Sequence, residues 1–292
     1  MNSTASTYCL VVGAGITGRS IVRHLQRSNV NCYLFDTRLD ESIRLSVLAE
    51  FPTLNVYFGE ISNDLIEGAV EVFLSPGLDR NHPVIKTALA AGKNVCGDIE
   101  LFLREKKGRV VGVTGSNGKS TVVSLLGELN TIDDLKIVIG GNIGIPALDL
   151  LDSNADIYVL ELSSFQLESI AQANLDVALM LNLTEDHMDR YGTMDAYATA
   201  KQHIFTDAKA CVVNADDEGT WPHDNVNGPV VRFSLKDDSA ALYSFNPIDG
   251  DVRYQGEVLF HQHELALKGL HNIANVLSVL CVAELLGLGR DK

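Results

Sequence analysis

Thr114-Gly-Ser-Asn-Gly-Lys-Ser-Thr121 is the stretch that most limits what this chain can fold into. The apolar run Val110-Val-Gly-Val113 reads as a buried strand, and a helix is predicted from about Lys119. A strand that turns through glycines into a helix offers backbone N–H groups and a helix N-terminus to a phosphate. Lys119 is placed to reach β/γ-phosphates, and the Ser120 hydroxyl to coordinate Mg²⁺. Gly115, Ser116, Asn117, Gly118, Lys119, Ser120 and Thr121 are therefore candidate ATP contacts. The loop departs from the strict pattern, because Val113 stands where a glycine five residues before Gly118 is usual. The plain alternative is an ordinary strand–turn–helix with a surface lysine.

A second glycine loop precedes it. Gly13-Ala-Gly-Ile-Thr-Gly18 lies between an apolar strand at 8–12 and a helical pattern at 16–28, with Ile21, Val22 and Leu25 on one face. The next strand, 31–35, ends at Asp36, where an acidic residue can hold a ribose. By itself this pattern reads as a dinucleotide site, and Thr37-Arg38 leaves room for another ligand head. A further strand, 70–74, ends at Ser75-Pro-Gly77. Strands alternating with helices imply an α/β fold with parallel pairing.

The polar cluster at 104–109 marks a domain boundary, giving domains at 1–105 and 106–292. Beyond it, 157–161 and 177–181 read as buried strands, and 211–213 and 230–233 continue the sheet. Residues 242–267 suggest a small β-hairpin region, 271–286 a helix, and 287–292 a helix end running into a linker.

Several residues admit two readings. Glu161 closes an apolar strand, so it is either salt-bridged or completes a Mg²⁺ shell. His187, with Asp186 and Asp189, either holds a second metal or substrate, or belongs to a capped surface turn. By composition Lys201 is a helix-surface lysine. Asn142, in Gly140-Gly-Asn-Ile-Gly144, either contacts a ligand or sits in a plain turn. Gly269-Leu-His-Asn-Ile-Ala-Asn275 either caps the last helix or contacts a nucleotide base.

Composition excludes some classes. The net charge of −15 argues against a nucleic-acid backbone as partner. No apolar run reaches the ~18 residues of a membrane span. Residues 1–7 lack a basic residue and do not read as a secretory signal. The scattered Cys9, Cys32, Cys96, Cys211 and Cys281 read as buried free thiols of a reducing compartment.

Two nucleotide loops in series, with Gly-Ser-Asn-Gly-Lys-Ser in the second, resemble the Mur ligases, the ATP-dependent amino-acid-adding enzymes of peptidoglycan synthesis. Glu161-Leu-Ser-Ser-Phe-Gln-Leu-Glu168, Thr184-Glu-Asp-His-Met-Asp-Arg-Tyr191 and Gly97-Asp-Ile-Glu-Leu-Phe102 are similar to the branch that adds D-glutamate to UDP-N-acetylmuramoyl-L-alanine. The resemblance covers essentially the whole chain. It implies an N-terminal Rossmann-like domain that holds the UDP end of that substrate rather than NAD. Ile16 and Thr17 would lie near the diphosphate, Asp36, Thr37 and Arg38 near the uracil, Gly77 and Asn142 at the phosphates, and Ser163 among the substrate contacts. It implies a central P-loop ATPase-type α/β domain with a mostly parallel sheet, in which Lys119, Glu161, His187 and Lys201 are catalytic.

In that resemblance Ser120 and Glu161 match a first Mg²⁺ site, and His187 and Lys201 a second, with Lys201 carbamylated by CO₂. Asn272 and Asn275 match positions near the adenine. The family's third domain, which binds D-glutamate, has no counterpart up to Lys292, so a fragment that binds without completing turnover is expected. The implied partners are small molecules, with no nucleic acid or membrane, for a cytoplasmic monomer serving cell-wall growth, cell shape and division. An NAD-dependent oxidoreductase, a folylpolyglutamate-type ligase and a non-enzymatic nucleotide-binding module remain as alternatives.

Overall fold

The computed structural model describes residues 7–79, 81–131 and 134–288. The signal reading at 1–7 and the linker reading at 287–292 fall largely on positions 1–6 and 289–292, outside the described residues. The chain separates into two compact units, Met1–Glu105 with Pro146–Asp149, and Lys106–Ile145 with Leu150–Lys292.

The first unit is built on five parallel strands: β1 (Cys9–Val12), β2 (Cys32–Asp36), β3 (Asn55–Phe58), β4 (Glu71–Leu74) and β5 (Asn94–Gly97). Their order is β3-β2-β1-β4-β5. The chain reverses direction of winding between β1 and β4, which opens a crevice at the carboxyl ends of those strands. β1 is buried along its length, as its unbroken apolar run predicts. The helix Ile16–Arg27 buries Ile21, Val22 and Leu25, the face read from their spacing. Glycine is required where β1 meets this helix. Gly13 has φ +108°, and a Cβ on Gly18 would lie 1.8 Å from the Gly13 carbonyl oxygen.

The second unit carries nine strands: β6 (Arg109–Thr114), β7 (Ile137–Gly141), β8 (Ile157–Glu161), β9 (Val177–Met180), β10 (Cys211–Asn214), β11 (Val230–Ser234), β12 (Tyr243–Asn246), β13 (Asp251–Tyr254) and β14 (Glu257–His261). Their order is β14-β13-β12-β11-β10-β9-β6-β8-β7. Pairing is parallel from β7 across to β12 and antiparallel from β12 to β14. The helix Lys119–Glu128 brings Val122, Val123 and Leu126 into the core, and the helix Leu270–Leu285 brings Ile273, Leu277, Cys281 and Val282. Each large apolar side chain so buried stabilises the unit by about 1.5–3 kcal/mol before the entropy of ordering it is subtracted. The mostly parallel α/β architecture predicted for both halves is the one found.

The hairpin expected at 242–267 is a three-strand meander continuous with the large sheet. The turn that adds β14 is Gln255-Gly256, with φ +49° and +86°. Positive φ at both central residues suits the twist of a tight hairpin, and glutamine gives little warning of it. All five cysteines are buried and free, as their apolar surroundings suggested.

Candidate active site

β6 delivers Thr114 to the start of the phosphate loop, and Gly118 precedes the helix Lys119–Glu128 with φ +85°. A Cβ on Gly118 would lie 2.7 Å from Oδ1 of Asn275, so glycine both permits the left-handed turn and lets the last helix approach the loop. Lys119 Nζ donates to the carbonyls of Gly115 at 2.8 Å and Ser116 at 2.9 Å. Burial lowers its pKa, opposed by the carboxylates of Glu161 and Asp186.

Ser120 Oγ donates to Oε2 of Glu161 at 2.8 Å, and Asn142 Nδ2 donates to Oε1 at 3.1 Å. Glu161 ends β8 and is only 2% exposed. A hydroxyl and an amide, both neutral, hold this buried carboxylate, with the Lys119 and Lys201 charges acting on it from nearby. Ser120 Oγ and Glu161 Oε2 form an oxygen pair on an anionic group, the donor chemistry that Mg²⁺ prefers. The Gly140-Gly141 backbone abuts the same residue, since a Cβ on Gly141 would meet the Glu161 carbonyl oxygen at 2.4 Å. β7 thus runs into the loop that the sequence showed only as glycines, and Asn142 turns to the carboxylate.

Lys201 corrects the reading from composition. It sits in the last turn of the helix Met194–Gln202 yet is 2% exposed, because that turn packs onto the phosphate loop. Its Nζ donates to the Gly115 carbonyl at 2.9 Å and Thr114 Oγ1 at 3.3 Å, and lies 4.8 Å from the ring centre of Tyr197. Burial, then the neighbouring Lys119 charge, lowers its pKa to about 7. The unfolded chain holds that proton to about 10.5. The buried charge therefore costs stability below about pH 7, and the Lys201 contribution to stability rises as pH climbs from about 7 toward 10.5. Denaturant titrations in CO₂-free buffer, comparing the unaltered chain with Lys201→Met, are expected to show the stability of the unaltered chain rising relative to that of the variant across the window. A pH-independent difference would overturn the neutral-amine assignment.

His187 is not drawn into this cluster by a hydrogen bond. It occupies the N-cap position of the short helix Met188–Tyr191 with φ +55°, its own N–H held by Asp186 Oδ1 at 2.9 Å. Its ring packs 4.8 Å from that of Phe165. His187 Nε2 lies 3.5 Å from Asp186 Oδ2, and among the described residues no three His, Cys, Asp or Glu side chains gather as a metal site. Ser163 caps the helix Ser164–Leu167 in a capping box with Gln166. Asn272 Nδ2 donates to the Lys268 carbonyl, while Asn275 is buried beside Gly118. Ser120, Thr121, Leu125 and Leu267 line an open cavity of about 450 Å³ at the same helix. Tyr197 carries no signal in the sequence, whereas Thr114 opens the glycine loop and Asn182 is a polar residue just beyond a buried strand, the place where α/β sheets collect ligands.

In the first unit, Gly13, Asp36, Thr37, Arg38, Ser75 and Gly77 line a cavity of about 320 Å³ at the crevice. Asp36 accepts from the Ala14 N–H at 2.7 Å and from Arg38 Nη2 at 2.8 Å. Burial pushes its carboxyl up, but Arg38 and the backbone donors outweigh that and hold it below the usual range. The carboxylate expected to face a ribose thus fixes the glycine loop and orients Arg38. Ile16 is 75% exposed at the head of its helix, with Thr17 half-buried beside it.

A family model described as the Mur ligase middle domain matches residues 113–283, more than half of the chain. The chain belongs to the Mur ligase family. A second model, the Mur ligase MurD-like N-terminal domain, matches residues 7–97. The UDP-N-acetylmuramoylalanine–D-glutamate ligase of Alcanivorax borkumensis is 40% identical over 283 residues, covering 97% of this chain and 64% of that protein. The enzyme of the same name from Pseudomonas aeruginosa is 40% identical over 284 residues, covering 97% and 63%. This Mur ligase chain therefore spans somewhat under two thirds of the length of those relatives.

The crystal structure of UDP-N-acetylmuramate:L-alanyl-γ-D-glutamyl-meso-diaminopimelate ligase from Neisseria meningitides superposes with a TM-score of 0.63 at 19% identity, covering 96% of this chain and 94% of that one. At that identity it supports the fold alone. The oxidoreductase alternative, which left the second glycine loop unexplained, falls with the family assignment. No helix among the described residues is long and apolar enough to cross a membrane.

Proposed function

We propose that this chain binds Mg-ATP in its second unit and the uridine-linked substrate in its first, for the joining of D-glutamate to UDP-N-acetylmuramoyl-L-alanine. The observation that carries this reading is Glu161, a buried carboxylate hydrogen-bonded to Ser120 directly after Lys119. The names of relatives 40% identical across both glycine loops support the substrate.

In the proposed reaction the substrate carboxylate attacks the γ-phosphorus of ATP, and the resulting acyl phosphate is attacked by the D-glutamate amine with loss of phosphate. Activation is needed because a carboxylate is a poor electrophile. Loop amides from Gly115 to Thr121 cradle the phosphates. Lys119 moves from the Gly115 and Ser116 carbonyls to the β/γ-phosphates and offsets the charge gathering there. Ser120 and Glu161 would hold Mg²⁺, which would supply Lewis-acid polarisation of the phosphoryl oxygens. Asn272 and Asn275 face the base. The neutral Lys201 amine would add CO₂ with release of a proton, and the resulting carbamate with His187 would hold a second cation. In the first unit Arg38, held by Asp36, meets the uridine end, and Ile16, Thr17 and Gly77 border the diphosphate.

Calorimetric titration of the chain with UDP-N-acetylmuramoyl-L-alanine, with NAD as control, tests the reading. Binding of the uridine compound alone is expected. Binding of NAD alone would overturn the assignment of the first unit.

A further inference from the structure

Residues 116–117 of the phosphate loop and residues 182–184 beyond β9 grip one another reciprocally. The Asn182 side chain takes both polar groups of the Asn117 backbone: Oδ1 accepts its N–H at 2.8 Å, and Nδ2 donates to its carbonyl at 3.0 Å. The Ser116 side chain does the same to Thr184, donating to its carbonyl at 2.8 Å and accepting from its N–H at 2.9 Å. A backbone bond from Ser116 N–H to the Asn182 carbonyl, at 3.1 Å, closes the set. On the far side, the Leu183 N–H is held by Asp217 Oδ2 at 2.7 Å. The anchor segment is therefore itself fixed, and it leads within a few residues to Asp186 and His187.

We propose that Asn182 is a positioning residue, which sets the two peptides flanking Asn117 for phosphate binding and ties the loop to the segment carrying Asp186 and His187. The inference rests on the ATP-binding reading of the loop. Its physical basis is that an exposed glycine-rich loop has many accessible conformations, and donors that hold still before the anion arrives bind it without a reorganisation cost. The N–H and C=O of one residue belong to the two peptide planes that flank its Cα, so a side-chain amide that occupies both fixes those planes relative to one another, which a single hydrogen bond does not.

The test compares the unaltered chain with Asn182→Leu, near in size without polar atoms, and with Asn182→Ala. Three quantities are read: Mg-ATP affinity by calorimetry, melting temperature, and hydrogen exchange of individual amides. The expected result is that both variants stay folded, the Asn117 amide loses protection, and affinity falls about 10- to 100-fold, as two lost hydrogen bonds imply. Affinity within twofold of the unaltered chain would overturn the inference alone. So would loss of protection throughout β6, since Asn182 would then serve the sheet and not the loop. Absence of Mg-ATP binding in the unaltered chain would overturn the phosphate-loop reading, and this inference with it.

Discussion

Lys119→Ala is expected to weaken Mg-ATP binding by this chain about 100-fold, and to abolish turnover in a protein of the relatives' full length. The ammonium rests on two loop carbonyls, so its move to a phosphate exchanges neutral acceptors for anionic ones. Charge-assisted hydrogen bonds contribute about 1.5–3 kcal/mol each, and every 1.4 kcal/mol is about tenfold in affinity. The effect on turnover is larger, because negative charge gathers on the transferring phosphoryl group only during the reaction. The fold is expected to survive, since Lys201 still donates to the Gly115 carbonyl. The same variant carries an internal check. Lys119 is one cause of the lowered Lys201 pKa, so its removal should move the Lys201 midpoint upward from about 7. Calorimetry and side-chain NMR read the two effects, and unchanged affinity would sink the assignment of the loop.

Glu161→Gln is expected to remove the Mg²⁺-dependent part of ATP binding while leaving much of the metal-free binding intact. The substitution keeps the size and shape of the side chain but turns one acceptor oxygen into a donor. That NH₂ must face either the Ser120 hydroxyl or the Asn142 amide, which donate to the two oxygens at 2.8 and 3.1 Å. The Ser120 hydroxyl can reverse its role; the Asn142 NH₂ cannot. The charge available to a cation is lost in either orientation. Loss of even an outer supporting group typically costs about 10–100-fold in metal affinity, so loss of the charge itself should cost at least as much. Titrations with and without Mg²⁺ give the difference directly. If Mg²⁺ tightens ATP binding equally in the variant, Glu161 does not belong to the metal site.

Legibility in the sequence followed burial. β1, β8 and β9 are covered along their whole length, so their apolar runs are unbroken and their positions readable. β3 is an edge strand without a fully buried residue, and β7 ends in two glycines, so neither stands out from its surroundings. At the site, Lys119, Ser120 and Glu161 were visible because local order fixes them: strand, glycines, helix start, and an acid closing an apolar run. Lys201 was invisible to the same reasoning. Its burial comes from packing between elements, and helical spacing alone leaves a lysine in solvent. Asp36 was found but its hold on the Ala14 N–H was not, because that contact belongs to the shape of a loop and not to a pattern of residue types.

The order β9-β6-β8-β7 has a consequence for how the site comes into being. Its decisive contacts join residues 41, 65 and 87 positions apart, in Ser120–Glu161, Asn117–Asn182 and Thr114–Lys201. None can form as a local event, and each waits for parallel strands that pair only after their intervening crossovers are complete. Doubling such a separation adds only about 0.6 kcal/mol of closure entropy, so the cost is one of timing more than of stability. A one-residue slip of β8 would turn Glu161 to the opposite face of the sheet. Competence to bind a triphosphate thus waits on the four strands at the β7 end of the sheet finding their alignment.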